Sequence, residues 1–557
     1  MGALFDDRDN SPLLSRASID AMIEVAPATA DALYARGWSV YREGNDMVYG
    51  HGGSLPGTIT TARWASNGLA MVALLNTRKP TDDFELDGPI SVPQHDLFES
   101  VGISGEAVGA ALAESWIPVV AAGGGAGGSL WRSDVAMLNR SALDNLVRIQ
   151  IEMPALAVDR LVELRPGEQL TVVDVVSDLG LAGSGSLRVF SAEPLTVTSR
   201  IYNASADGTF GQFLGGVTGP GGLGNGESAV LMHLREDDDA RSNIGILNAG
   251  RRAARVALVL HDGSGAEVAR FNRRVEARQV RQLNQPFLTQ GGRSDLGAGY
   301  AVLEVLDGEE IVAYGSVVDA GTNDPTTIPM KISGGSVSQW VAAVASSDGV
   351  AGSVWRSDLG LLNTGPTAVD VSVVFRPPGV PNRLLEINLQ PGEHRVLDDV
   401  VGRLGSSGSG PLEITADDPI LVSSRTYNRG EGGTFGQFLD GAPSEAMVGE
   451  GGRVWLSQLI QNTEFRTNIG LLNTGGEPAR ARIHLHQADG VLVATVQRNL
   501  TSGALLQLQE PFERLGGRSD IVGGYAVIEV TAGTGIVAYA SVVDNRTNDP
   551  TTVPMVR

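Results

Sequence analysis

The sequence predicts a mainly β chain: four tandem antiparallel β-sandwich modules behind a smaller N-terminal α/β segment. Three observations predict it. Apolar and polar residues alternate through runs such as RARIHLHQADGVLVATVQRNL (480–500), with ADG as the turn between two strands. Turn signals recur every roughly 8–12 residues, and no long amphipathic helical pattern interrupts them. The third observation is internal repetition.

The motif WRSDVAMLNRS begins at Trp131 and WRSDLGLLNTG at Trp355, while RSNIGILNAG begins at Arg241 and RTNIGLLNTG at Arg466. Their closing asparagines, Asn139, Asn248, Asn363 and Asn473, recur at near-equal intervals along the chain. Alternate copies are closer kin. SRIYNASADGTFGQFLGG (199–216) recurs as SRTYNRGEGGTFGQFLDG (424–441), and SVVDAGTNDPTTIPM (316–330) as SVVDNRTNDPTTVPM (541–555). The layout is A-B-A′-B′, with modules expected at 117–217, 228–331, 339–441 and 452–557. TGPGGLGNGE, SGGSVS and GAPSEAMVGEGG separate them and read as short flexible joints. The modules read as immunoglobulin-like sandwiches, with topology open.

Composition limits the function classes. The chain has 557 residues, 72 of them glycine, and no cysteine, so disulfides, Cys-bound zinc and thiol catalysis are excluded. Its formal net charge is −22, and lysine occurs only at Lys79 and Lys331. Such a chain repels nucleic acid and anionic lipid. No stretch of 18 apolar residues exists to span a membrane. The opening MGALFDDRDN is acidic and is not a signal peptide. Either the chain is cytoplasmic or Met1 is not the natural start. No cofactor or metal is expected.

The first hundred residues read differently. A helix is expected over 11–24, a strand over 37–42, and then strands around GHGGSLPG (50–57), TITTARW (58–64) and LAMVALL (69–75), with SNG at 66–68 as a hairpin turn. KPTDDFELDGPISVPQHD (79–96) reads as a linker, and SGEAVGAALAESW (104–116) as one short helix. This gives a unit over 1–85 and a linker with a short helix over 86–116.

Over 11–77 the helix, the Gly-Trp strand, GHGGSLPG and the closing MVALLNTR strand resemble, in order, the penicillin-binding-protein and class C β-lactamase family of serine hydrolases. The resemblance implies that His51, Gly52 and Gly53 form that family's His-x-Gly box, and that the Ser54 N–H helps form an oxyanion hole. His51, Gly53 and Ser54 are thus the candidate catalytic residues. Ser-x-x-Lys and Tyr-x-Asn, which supply the nucleophile and its partners, occur nowhere in the chain. The segment reads as a truncated serine-hydrolase remnant, inert as given, or as the rear portion of an exported hydrolase whose front half lies upstream or on another chain.

The repeats, over 116–555, resemble β-sandwich repeats of secreted and cell-surface bacterial proteins. That resemblance implies an extracellular or surface location, a structural or interaction role, and cell-wall or surface components as partners. An array of carbohydrate-binding modules is the third reading, weakened by an aromatic content of 5%.

Within the repeats, the Arg and Asp/Asn two apart (Arg132/Asp134, Arg241/Asn243, Arg356/Asp358, Arg466/Asn468) share a strand face. They read as a loop-pairing requirement of the fold before a ligand pair. The closing Asn suits a turn with positive φ. GTFGQF (208–213 and 433–438) reads as core or inter-module packing. REDDDARSN (235–243), DAGTNDPTT (319–327) and DNRTNDPTT (544–552) offer oxygen donors for calcium but read first as solvated loops. Trp116, Trp131, Trp340 and Trp355 read as core or interface. Whether the modules form a rod or a cluster is open.

Overall fold

The structure, a computed structural model, describes residues 113–557 except 154–155, 207, 219–220, 333, 350–351, 431 and 444–445. Before 113 it describes Ser18, strand backbones between 34 and 75, and the side chains at 49–51 alone.

The chain is mainly β, built from antiparallel sheets. Module B shows the plan. One sheet runs in the order Glu267–Val275, Ala254–Asp262, Leu296–Asp307, Ser228–Glu236, Lys331–Ile332. The other runs Gln279–Asn284, Ala240–Asn248, Ile311–Asp319, Pro325–Pro329. Alternate residues from both sheets, such as Ile244, Ile246, Val256, Leu258, Leu303 and Ala313, fill the space between them. Module B′ repeats this plan in the second half of the chain, with two four-stranded sheets.

Helices are short: α1 (Val175–Asp178), α2 (Pro286–Gly291), α3 (Val400–Arg403) and α4 (Pro511–Gly516), one per module. Each follows a residue held at positive φ: Asp174, Gln285, Asp399 and Glu510. No helix among the described residues is long and apolar enough to cross a membrane.

Two expectations are corrected at the joints. Ala113–Trp116, read as the end of a helix, begin the strand Ala113–Gly124. Ile117, Val120 and the bulky Trp116 all find buried places there, and burial outweighs local helix preference. The joints read as flexible are pinned. Val217–Thr218 pair with Trp116 and Ser115, and Ala442–Pro443 with Trp340 and Gln339. Leu223 N donates to Ile311 O, and Ile311 N donates back to Leu223 O. Glycine there serves close approach to neighbouring backbone: a Cβ on Gly222 would meet Glu310 Cα at 2.7 Å.

The modules close into a ring. Module A meets B through Trp116, packed on Leu247, Ala249 and Val312. A′ meets B′ through the equivalent Leu472 and Val537, which join the core of A′. B meets A′ where His394 N donates to Gly263 O at 3.0 Å and Tyr300 Oη to Gly392 O at 3.1 Å. B′ meets A at the matching positions of the other halves: Gln169 N donates to Ala488 O at 2.7 Å and Tyr525 Oη to Gly167 O at 2.8 Å. Four seams, equivalent in pairs, give an approximate two-fold axis, so the modules form a cluster and not a rod.

Candidate functional site

At the centre of the ring the two A-type strands Gly208–Gly215 and Thr434–Asp440 lie against the two B-type strands Pro325–Pro329 and Pro550–Pro554. These are the GTFGQF and NDPTT motifs. The first motif is held residue by residue. Thr209 donates from N and from Oγ1 to Asp544 Oδ2, both at 3.0 Å; Thr434 does the same to Asp319 at 2.9 and 2.7 Å. Gly211 N donates to Asp549 Oδ2 at 2.8 Å, and Gly436 N to Asp324 Oδ2 at 2.7 Å. Gln212 and Gln437 turn the other way, accepting from Ser316 Oγ at 3.1 Å and Ser541 Oγ at 2.9 Å. Phe213 packs on the core of B′ and Phe438 on that of B.

Glycine is required in the middle of the motif. A Cβ on Gly211 would lie 2.7 Å from Arg200 Nε, and one on Gly436 2.8 Å from Arg425 Cζ. These guanidiniums bridge the same seams. Arg200 donates to Thr551 Oγ1 and Thr209 Oγ1 at 3.2 and 2.9 Å, Arg425 to Thr326 Oγ1 and Thr434 Oγ1 at 3.1 and 2.9 Å. Each stands near a fully buried carboxylate, Asp549 at 3.8 Å and Asp324 at 3.9 Å. Burial pushes the Asp549 carboxyl up to about 8. Burial, then the repulsion of Asp549, raises Asp324 as well. The Oδ1 atoms of both have no hydrogen-bond partner among the described residues.

The NDPTT loops are therefore not solvated, which corrects the expectation for them. Asp324, Asp549 and Thr326 are 0%, 0% and 1% exposed. The residue types that suggest solvent-facing oxygens cannot show that a second module caps the loop. REDDDARSN differs: Arg235 clasps Asp237 and Asp239 at 2.6 and 2.7 Å on the surface. Among the described residues no group of three acids or histidines could hold a metal ion.

The repeated Arg-x-Asp pair serves the fold. Arg132 meets Asp174 at 2.8 Å and Arg356 meets Asp399 at 3.4 Å. Asp134 and Asp358 accept from the Asp174 and Asp399 N–H groups at 2.9 Å. Arg241 donates to Asn323, and Arg466 to Asn545 and Asn548. The closing asparagines do not occupy the positive-φ positions expected of them. They stand at strand ends, and the fully buried side chain clamps two loops. Asn473 Nδ2 donates to Glu477 O at 2.9 Å and Leu500 O at 3.0 Å, and Oδ1 accepts from Gly475 N at 2.9 Å. Asn248 and Asn363 repeat this pattern, and Asn139 repeats it with Ser141 in the place of glycine.

One pair escapes motif reading. His233 and His394 face each other across the B–A′ seam, ring centroids 6.2 Å apart. Burial lowers their imidazoles to about 3 and about 4; the neighbouring His394, Arg425 and Arg235 add to the effect on His233. At the twin seam the same positions hold Gln458 and Gln169, with Gln458 N donating to Gln169 Oε1 at 3.0 Å. Aligning the two halves of the chain exposes this difference, and no local pattern does.

Of the candidate catalytic residues, His51 is exposed and lies on the strand Asp46–Leu55 with Gly53 and Ser54. This strand pairs with Thr58–Ala65, His51 opposite Ala62 and Ser54 opposite Ile59. On its other side Trp38–Glu43 covers 46–50 alone. The side chain of Ser54, and the helix expected over 11–24 apart from Ser18, lie outside the described residues.

Fold and site together define a duplicated, ring-closed array of β-sandwiches. No family model and no curated protein matches the chain. Among solved structures it is similar to "Crystal Structure of Thermotoga maritima 1070", at 14% identity over 20% of this chain and 97% of that one, with a TM-score of 0.18. It is also similar to "Crystal structure of tetra-tandem repeat in extending region of large adhesion protein", at 10% identity over 76% of this chain and 93% of that one, with a TM-score of 0.09. Scores this low establish neither fold nor function.

Proposed function

We propose that this is a structural and interaction protein, secreted or held at the cell surface, whose four sandwiches form one rigid platform. The observation that carries the reading is where its repeated polar residues go. Arg200, Asp549, Thr209 and their counterparts Arg425, Asp324 and Thr434 join modules, burying charge at a cost that only a fixed geometry repays. The pairing of the second strand of each B-type module with its fifth, and the third with its sixth, supports the immunoglobulin-like reading of those modules. Small-angle scattering is the test. A compact particle, unchanged between low and high salt, is expected; an elongated chain of independent modules would refute the platform.

A second reading is favoured by one observation. The half-strand 51–55 pairs on one side only among the described residues, as an oxyanion strand does. On that reading the chain is the rear portion of a serine hydrolase of β-lactamase, esterase or peptidase type. An ester or β-lactam chromogen discriminates. Turnover abolished by His51→Ala establishes the hydrolase; absence of turnover shows that this chain, which lacks Ser-x-x-Lys, does no acyl transfer by itself.

A further inference from the structure

Module B carries a concentration of arginine that its twin lacks. Residues 251–293 hold nine arginines against three acids. The equivalent segment of B′, 476–518, holds five arginines against four acids. The two modules share one fold, so the excess is not a requirement of that fold; Asp307, Glu309 and Glu310, where B′ has Ala532, Thr534 and Gly535, offset part of it.

Geometry gathers these charges on one side. Glu267–Val275 and Gln279–Asn284 are the edge strands of the two sheets, and both edges lie on the same flank of the sandwich. Arg251, Arg252, Arg255, Arg274 and Arg281 are exposed there. Arg274 is paired with Glu276 at 2.7 Å, whereas Arg251, Arg252, Arg255 and Arg281 have no carboxylate partner among the described residues. Arg273 bonds to Gln290 instead; burial lowers its proton affinity, and the nearby Arg281 adds to the effect.

Arg255 stands opposite Arg274 on one neighbouring strand and opposite Asp307 on the other, so an acid flanks it on one side only. At the same place B′ puts Arg480 opposite Asn499 and joins them by a hydrogen bond of 3.0 Å. Where B has Arg281, B′ has Leu506, packed against its core. Arg251, Arg252 and Arg255 lie off the edge strands, so protection of an edge does not account for them.

We propose that this flank of module B binds a linear acidic polysaccharide bearing carboxylates along its length. Guanidinium forks match carboxylates in a bidentate manner. Arg270 to Arg274 alone covers about 13 Å of strand, room for successive charged sugars and not one anion. The face offers no open ring to stack a nucleobase: Phe271 lies beneath Arg273, 4.3 Å from its guanidinium carbon, and is only half-exposed. Duplex nucleic acid and anionic membranes extend beyond the patch and meet the acidic remainder of the chain, whereas a flexible glycan keeps to it. This adds a partner class to the platform and depends on that reading only for location.

The test is titration of the full chain with polygalacturonate oligomers at 50 and 500 mM salt. Binding at low salt that weakens at least tenfold at high salt is expected. The variant Arg252→Glu/Arg274→Asn/Arg281→Leu takes the residues that B′ already carries, so the fold tolerates them, and it should lose affinity at least tenfold. Arg480→Ser on the twin module should change nothing. Absence of binding at low salt overturns the proposal, as does binding indifferent to salt, to the triple variant, or to replacement of the polymer by neutral dextran. Tighter binding to single-stranded DNA, or self-association at low salt lost in the triple variant, overturns it in favour of those partners. Scattering that still shows a compact ring would separate any such failure from failure of the platform.

Discussion

Phe210 and Phe435, one from each half of the chain, stack with ring centroids 5.2 Å apart and an interplanar angle of 28°. Each is the same residue of the same motif in opposite halves. A residue meets its own duplicate only near a symmetry axis, so this contact locates the axis of the ring. Around it stand the buried Asp324 and Asp549 and their arginines, where the joints between modules converge.

Asp549→Ala is expected to destabilise the chain by about 1–3 kcal/mol, because it leaves the buried Gly211 N without an acceptor. Asp549→Asn keeps an acceptor for that N–H and should cost clearly less. Thermal or urea denaturation of both variants measures the difference; equal losses would mean that the acceptor has no role.

The His233–His394 seam should be the acid-sensitive joint. Both imidazoles titrate near 6.5 when unfolded and near 3 and 4 when folded. Between those values the unfolded chain binds more protons, so the stability is fully present above pH 6.5 and is lost as pH falls toward 4. The slope approaches about 1.4 kcal/mol per pH unit for each ring. His233→Gln/His394→Gln installs the pair found at the twin seam and should flatten this part of the profile. Denaturation midpoints from pH 7 to pH 4.5 for both proteins check it.

Asn473→Ala should cost about 1–3 kcal/mol, since the buried carbonyl of Leu500 and the more exposed one of Glu477 lose their donor and Gly475 N its acceptor. A loss below about 1 kcal/mol would show that water replaces the side chain.

Gly470→Ala should be damaging for a steric reason. Its Cβ would lie 2.1 Å from Cε1 of the buried Tyr539 ring, which also packs into the core of A′. Overpacking of this kind costs about 1–3 kcal/mol or more. Gly476→Ala, with nothing within 4 Å of the added carbon, is the control and should melt near the parent temperature.

Much of the architecture was legible in the residues. Period-two alternation places strands such as Ala479–His486 and Leu492–Leu500, because side chains of a strand point alternately in and out. The repeat spacing shows the duplication, since two copies of one unit must fold alike. The pairing of Arg132 with a neighbouring loop is readable from its recurrence in every module. What misled was local: NDPTT looks hydrated because Asn, Asp and Thr favour exposed turns, and the Asn of the LN motif looks like a turn residue for the same reason. Their environments are set by groups far away in sequence.

Composition, alternation and repetition by themselves determined a mainly β, cysteine-free, acidic chain in four modules with an A-B-A′-B′ order, because these depend on residues within a few positions of one another or on direct comparison of copies. Only the tertiary structure decided that the ring closes, that Asp324 and Asp549 are buried, that His233 meets His394, and that Arg255 and Arg281 share one flank. Those relations join residues by contact across strands and modules, and contact between distant segments leaves no periodic trace in either of them.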